Sequence, residues 1–295
     1  MSKTDYEMDL QWQRRTDLCV FTLLQAVDSR TDSEFIEMGF GEAQVGPKHW
    51  PSSVPELDLA LEGGFYGFTV FAAPPGAGKS TLALASAIEA ASTDDWEVVM
   101  LVAEDDVDGL RERFTRFMEA HKTLNPFGHL FIHLVGRGQT PTSLALTVAH
   151  SVDRSLNRKL LVVMDSINSV VNLGTGDYFR AMNDIAMWAM QSRRMSHGDV
   201  AWLVIGETNK DGHIKGRNLA FWADCAIKLR KESKDVVEII VDKSRRTGGE
   251  GSLGQFSRVV TRGTFEKEPG KVAAQRHLHA VGDDEALQED DPWGN

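Results

Sequence analysis

The sequence predicts an α/β fold of three layers, with a mostly parallel central sheet between helices and a late antiparallel extension. Three observations carry this prediction. From about Gly46 short apolar runs alternate with helical patterns, the spacing of strand–helix units that build parallel sheets. The turn "PPGAGKS" joins one such run to an alanine- and leucine-rich segment. Two late runs, "CAIKLRK" and "VVEIIVDKS", look like the antiparallel addition.

Taken in order, the first 45 or so residues carry one helical pattern, "LCVFTLLQAV" (Leu18 to Val27), with polar flanks. Buried strands are predicted at Gly67–Ala73, Trp96–Ala103, His129–Val135, Leu160–Asp165 and Ala201–Gly206, each a short run dominated by apolar residues. Helices are predicted between them at Ser80–Ala91, Val107–His121, Pro141–Leu156 and Tyr178–Met195. The late runs cover Cys225–Lys231 and Val236–Ser244. Beyond about Glu266 the glycine, charged and polar content predicts a disordered tail. The chain therefore divides into a segment 1–45, a core 46–266 and an acidic tail 267–295.

Composition narrows the function classes. A chain of 295 residues, 42% hydrophobic and 25% charged, has the make-up of an ordinary globular protein. No apolar run approaches the roughly 20 residues of a membrane span, and the start "MSKTDYEMDLQWQRR" has no apolar signal core. A cytoplasmic protein away from membranes is expected. The two cysteines, Cys19 and Cys225, form neither a disulfide framework nor a zinc knuckle, and are expected as reduced thiols. The net charge of −11 argues against a surface that embraces nucleic acid all round. More than half of that charge comes from six acids of the tail (Asp283, Asp284, Glu285, Glu289, Asp290, Asp291), so a local basic channel remains compatible.

The chemistry-bearing residues begin at the turn. Small residues let successive backbone N–H groups converge on phosphate oxygens; a lysine meets the outer phosphates and a hydroxyl holds magnesium. Gly76, Ala77, Gly78, Lys79 and Ser80 supply these in order, and the binding segment runs from Pro75 to Thr81. Ala73 stands where the usual pattern has its first glycine, and is the smallest replacement. A strand-end carboxylate that holds magnesium is predicted at Asp165, on the strand expected beside the cradle. Glu104, directly after another strand, is the predicted base that orients the attacking water, with Asp105 able to share the role.

The order and spacing of these elements resemble the RecA superfamily, in its RadA, DnaB and KaiC branch. "SVPELDLALEGGFYGFTVFAAPPGAGKSTLAL" resembles the entry segment and phosphate loop. "AEDDVDGLRERF" resembles the catalytic-glutamate segment, "VVMDSINSV" the magnesium strand, and "IGETNKDGHIKGRNLAFWAD" the sensor and DNA loop. "VDKSRRTGGEG" resembles the K-x-R element, and the match spans about Val54 to Phe265. The resemblance implies a RecA-like fold and an ATP- and magnesium-dependent ATPase working as a hexameric ring or filament. It implies that Lys243 and Arg245 reach into a neighbour's nucleotide, that Glu207 occupies the sensor position, and that Lys210, Lys215 and Arg217 contact single-stranded DNA. A second axis loop is implied at Asn172–Arg180. Glu207 departs from the His or Gln usual at the sensor, and the large accessory domains of RadA and DnaB have no counterpart here. The plan is similar to small phage RecA-like recombinases.

The leading functional expectation is a DNA motor for recombination, repair, strand annealing or unwinding. The alternative is a KaiC-like regulatory ATPase that binds protein partners. The basic loop is expected to lie away from the nucleotide. The tail "QEDDPWGN" is loosely similar to tips that recruit replication or recombination proteins.

Overall fold

The computed structural model describes residues 48–135, 158–172, 183, 185–187, 189–190, 200–215, 217–260 and 262–268. The helices predicted at Leu18–Val27 and Pro141–Leu156, most of Tyr178–Met195, the loop after Asn172 and the acidic tail lie outside them.

The strands form where apolar side chains run without interruption. β3 (Phe68–Ala73), β4 (Trp96–Val102), β6 (Lys159–Asp165) and β7 (Val200–Glu207) are buried almost end to end. Such continuous runs mark parallel strands covered on both faces. Alternate residues feed two cores. Phe71, Val98, Met100, Leu161, Val163, Leu203 and Ile205 face helix α2 (Lys79–Ala91). Val70, Val99, Leu101, Val162, Met164 and Val204 face the other layer, which includes Ile167 of α4 (Ile167–Asn172), Ile185, Ala189 and Leu219 of α5 (Arg217–Trp222).

The large sheet has nine strands among the described residues, in the order β11-β10-β9-β8-β3-β7-β6-β4-β5. β5 (Leu130–Leu134) is its parallel edge. A separate two-stranded ribbon of β1 (His49–Trp50) and β2 (Phe65–Tyr66) flanks α1 (Pro55–Ala60) at the entry. α3 (Val107–Ala120) starts where Asp106 Oδ1 accepts a hydrogen bond from the Gly109 N–H at 2.7 Å.

Two expectations need correction. β8 (Cys225–Lys231) pairs parallel with β3, so the antiparallel extension begins one strand later, at β9 (Val236–Ser244). A crossover through α5 returns the chain to the same end of the sheet before β8, which makes the parallel direction necessary. The extension then continues through β10 (Gly251–Val259) and β11 (Thr264–Lys267), which carry too many glycines and charges to show as strands. Nor does the strand of Asp165 lie beside the cradle strand: β7 separates β6 from β3.

Candidate nucleotide site

β3 ends at the buried Ala73 and the chain turns at once. Pro74 C=O accepts the Ala77 N–H at 3.3 Å, and Gly76 and Gly78 take φ of +73° and +95°, a region that favours glycine. Gly78 then caps α2, and its carbonyl accepts the Leu82 N–H at 3.0 Å. The result is a loop leading into a helix N-terminus, whose free N–H groups and dipole favour a polyphosphate. Lys79 opens the helix with only 8% of its surface exposed.

A second constraint on Gly78 comes from elsewhere in the chain. A Cβ there would stand 2.7 Å from Phe265 Cζ and 3.1 Å from Arg258 Cδ. The β10–β11 hairpin thus rests on the loop, and Arg258 Nη1 donates to Gly76 C=O at 2.8 Å. Arg258 also pairs with Asp235 at 3.4 Å. Neither Phe265 nor Arg258 is foreseeable from the sequence, since no motif surrounds them.

Asp165 meets the loop despite the intervening strand, because α2 leaves the cradle across the sheet face and packs over β4 and β6. Its carboxylate, 1% exposed, accepts a hydrogen bond from the Ser80 hydroxyl, while its Oδ1 has no hydrogen-bond partner. Burial pushes the carboxyl up to about 6, and the charge of Glu104 works in the same direction. A buried, unsatisfied carboxylate oxygen beside a serine hydroxyl is a hard oxygen donor set, and it fits magnesium.

Glu104 sits two residues past β4, and its Oε1 accepts hydrogen bonds from Ser166 Oγ and, at 2.6 Å, from Ser169 Oγ. Burial acts to raise its carboxyl, but the two serine hydrogen bonds and the charge of Lys79 outweigh it and hold the group below its ordinary value. Glu104 is therefore an oriented, ionised carboxylate near the cradle lysine. Asp105 is committed otherwise, in an ion pair with Arg113.

Glu207 ends β7 in register with Ala73, so it stands beside the start of the loop. Its Oε2 pairs with Lys215 Nζ at 2.5 Å. The basic segment is a hairpin turn: Thr208 bridges Ile214, Lys215 N–H donates to Glu207 C=O at 2.8 Å, and Asn209 Oδ1 accepts from the Asp211 and His213 N–H groups. The expectation that this loop lies away from the nucleotide therefore needs revision: its lysine is tied to the residue beside the cradle. Lys210 is exposed, and the side chain of Arg217 is outside the described residues.

Lys243 and Arg245 come together at the end of β9. Lys243 Nζ donates to the carbonyls of Ala220 (2.9 Å) and Phe221 (2.8 Å), and Arg245 Nη2 to Phe221 C=O (2.8 Å). Both thus cap the C-terminal end of α5, where cations are favoured. Ser244 pairs with Cys225 and Cys225 with Thr69, at the start of β3. The pair therefore sits at the opposite end of the sheet from its own cradle, a distance of about 20 Å along β8 at ~3.3 Å per residue.

A family model described as an AAA domain matches residues 51–213. The chain belongs to this AAA domain family. The matched span contains the phosphate loop, Glu104, Asp165, Glu207 and the basic hairpin, and makes this AAA domain a nucleotide-binding P-loop protein. No sequence among the curated proteins matches the chain. Among solved structures the AAA domain is similar to one described as an ATPase domain, at 17% identity and a TM-score of 0.60, over 85% of this chain and 98% of that one. It is similar to a KaiC-like protein from the hyperthermophilic archaeon Pyrococcus horikoshii OT3, at 17% identity and a TM-score of 0.58, over 76% of this chain and all of the other. A DnaB-like replicative helicase, from a structure concerned with its interactions with primase, is similar at 16% identity and a TM-score of 0.60, over 90% of this chain and 77% of that one. These likenesses establish the RecA-like fold.

Proposed function

We propose that the protein hydrolyses ATP between subunits of an oligomer and couples turnover to single-stranded DNA. The observation that carries the ATPase reading is the meeting of Ser80, Asp165, Glu104 and Lys79 at the phosphate loop, although they come from three separate strand ends. Ser80 and Asp165 would hold magnesium, which when bound neutralises phosphate charge and orients the terminal phosphoryl group. Lys79 neutralises the phosphates from inside the loop. Glu104 takes a proton from the attacking water, and its serine bonds keep the carboxylate aimed during that transfer.

The oligomeric part of the reading rests on Lys243 and Arg245. Their distance of about a strand length from their own cradle supports a role at a nucleotide in another copy of the chain. A cation on the transferring phosphoryl group in that arrangement is worth about 10³–10⁵ in rate. The DNA part rests on the hairpin of Lys210 and Lys215, which joins a basic turn to Glu207 beside the loop. One observation favours the second reading, a regulatory ATPase acting on protein partners: the charge of Lys215 is already neutralised within the chain. Measuring ATP hydrolysis with and without single-stranded DNA separates the two. Stimulation supports the motor, and unchanged turnover together with no DNA affinity at low salt supports the regulator.

A further inference from the structure

The motifs of the sequence allot the cradle one lysine from its own chain, Lys79, and draw every other cation from a neighbour. The sheet supplies another. β8 runs parallel to β3 with Ala72 opposite Lys228, and it continues to Lys231 at the end of the sheet where β3 gives way to the phosphate loop. Its Nζ lies 3.7 Å from the point where a Cβ on Gly76 would stand. The surrounding cations are engaged: Lys228 with Asp242, Arg230 with Glu232 and Glu238, and Arg258 with Asp235 and Gly76 C=O. Lys231 is exposed, and its side chain has no ion-pair or hydrogen-bond partner among the described residues. An ammonium group held without a counter-charge at the rim of an anion cradle is set to receive an anion.

We infer that Lys231 is a second own-chain phosphate contact, directed at the terminal phosphate of a bound nucleoside triphosphate. This rests on the reading of the loop as a nucleotide site. Gly76 precedes Lys79 by three residues, and Lys231 approaches it from the β8 side of the loop. Lys79 reaches the β- and γ-phosphates from within, so a cation outside Gly76 faces the outermost one. The hairpin contact of Arg258 with Gly76 C=O fixes the loop from a second direction and keeps this rim in place.

The test is a titration of the full-length chain with fluorescent ATP and ADP analogues in magnesium buffer, comparing wild type, Lys231→Ala and Lys234→Ala. Lys234→Ala removes the same charge from the adjoining turn. The expected result is an ATP affinity about tenfold weaker in Lys231→Ala, the size of one exposed charge-assisted hydrogen bond. ADP affinity should stay within about twofold, and Lys234→Ala should match wild type. Unchanged ATP affinity, equal losses for ATP and ADP, or an equal loss in Lys234→Ala would each overturn the assignment while the nucleotide site stands. A wild type that binds neither nucleotide would overturn the site reading itself, and this inference with it.

Discussion

Replacing Asp165 by Asn should stabilise the metal-free protein while abolishing magnesium-dependent hydrolysis. The carboxyl is pushed up from 3.8 to about 6, by burial first and by the charge of Glu104, against the Ser80 hydrogen bond and the charges of Arg113 and Lys79. At 1.36 kcal/mol per unit, the ionised group costs the folded chain about 3 kcal/mol near neutral pH. The sign follows from proton binding: between about pH 4 and 6 the folded chain holds a proton that the unfolded chain has released. The contribution of this group is therefore most favourable below about pH 4 and is lost as pH rises through about 6. Asparagine keeps an acceptor for Ser80 but cannot ionise. In EDTA at pH 7.5 the variant should melt roughly 6–12 °C above wild type as an upper bound, with the gap closing toward pH 4. Adding magnesium and ATP should close or reverse the gap, because wild type gains the additional binding energy of a magnesium carboxylate that the variant lacks. Circular-dichroism melts across that pH range measure it. A gap that does not vary with pH, or a metal-free wild type that is the more stable at pH 7.5, would refute the burial argument.

Three further outcomes are expected. Glu104→Gln should bind ATP as wild type does and hydrolyse it about 10²–10⁴-fold more slowly in a steady-state phosphate-release assay; undiminished turnover would assign the base elsewhere. Mixing inactive Lys79→Ala with inactive Arg245→Ala subunits should restore hydrolysis, since each supplies what its neighbour lacks, and no recovery in confirmed oligomers would exclude a cation acting between subunits. Glu207→Gln releases Lys215 from its ion pair, so single-stranded DNA affinity should rise, while Lys215→Ala should flatten the salt dependence by about 0.7 log–log units. Titrations at two salt concentrations that find no affinity in any of these proteins would leave only the regulatory reading.

The sequence carried the core strands and the cradle because their signals are local. Uninterrupted apolar runs identify buried parallel strands, and a glycine-rich turn before a helix depends on neighbouring residues alone. Asp165 was legible as a strand-end carboxylate, but its place in the sheet was not, since the order of strands depends on where α2 and the crossovers go. β8 showed as a strand with the wrong direction, because an apolar run carries no polarity. The contact of Arg258 with the loop and the approach of Phe265 and Lys231 to it were invisible for a related reason. They join residues more than 150 positions apart through the register of four hairpin-connected strands, β8 to β11. The Lys215–Glu207 pair was within reach, being eight residues apart on either side of a turn, yet the same cations read equally well as a solvent-facing or DNA-facing loop.

The pairing of β8 with β3 has a practical consequence for dissecting the chain. A fragment cut at residue 213, where the family match ends, would retain the glycine-rich turn, Glu104 and Asp165. It would also turn β3 from a central strand into an edge, leaving the backbone groups that Cys225 to Lys228 now engage open to other chains. Phe265 and Arg258 would no longer brace Gly78 and Gly76. The smallest piece able to fold around its own phosphate loop is thus longer than the stretch by which the family is recognised, and expression boundaries are best drawn beyond Lys267, after the last strand among the described residues.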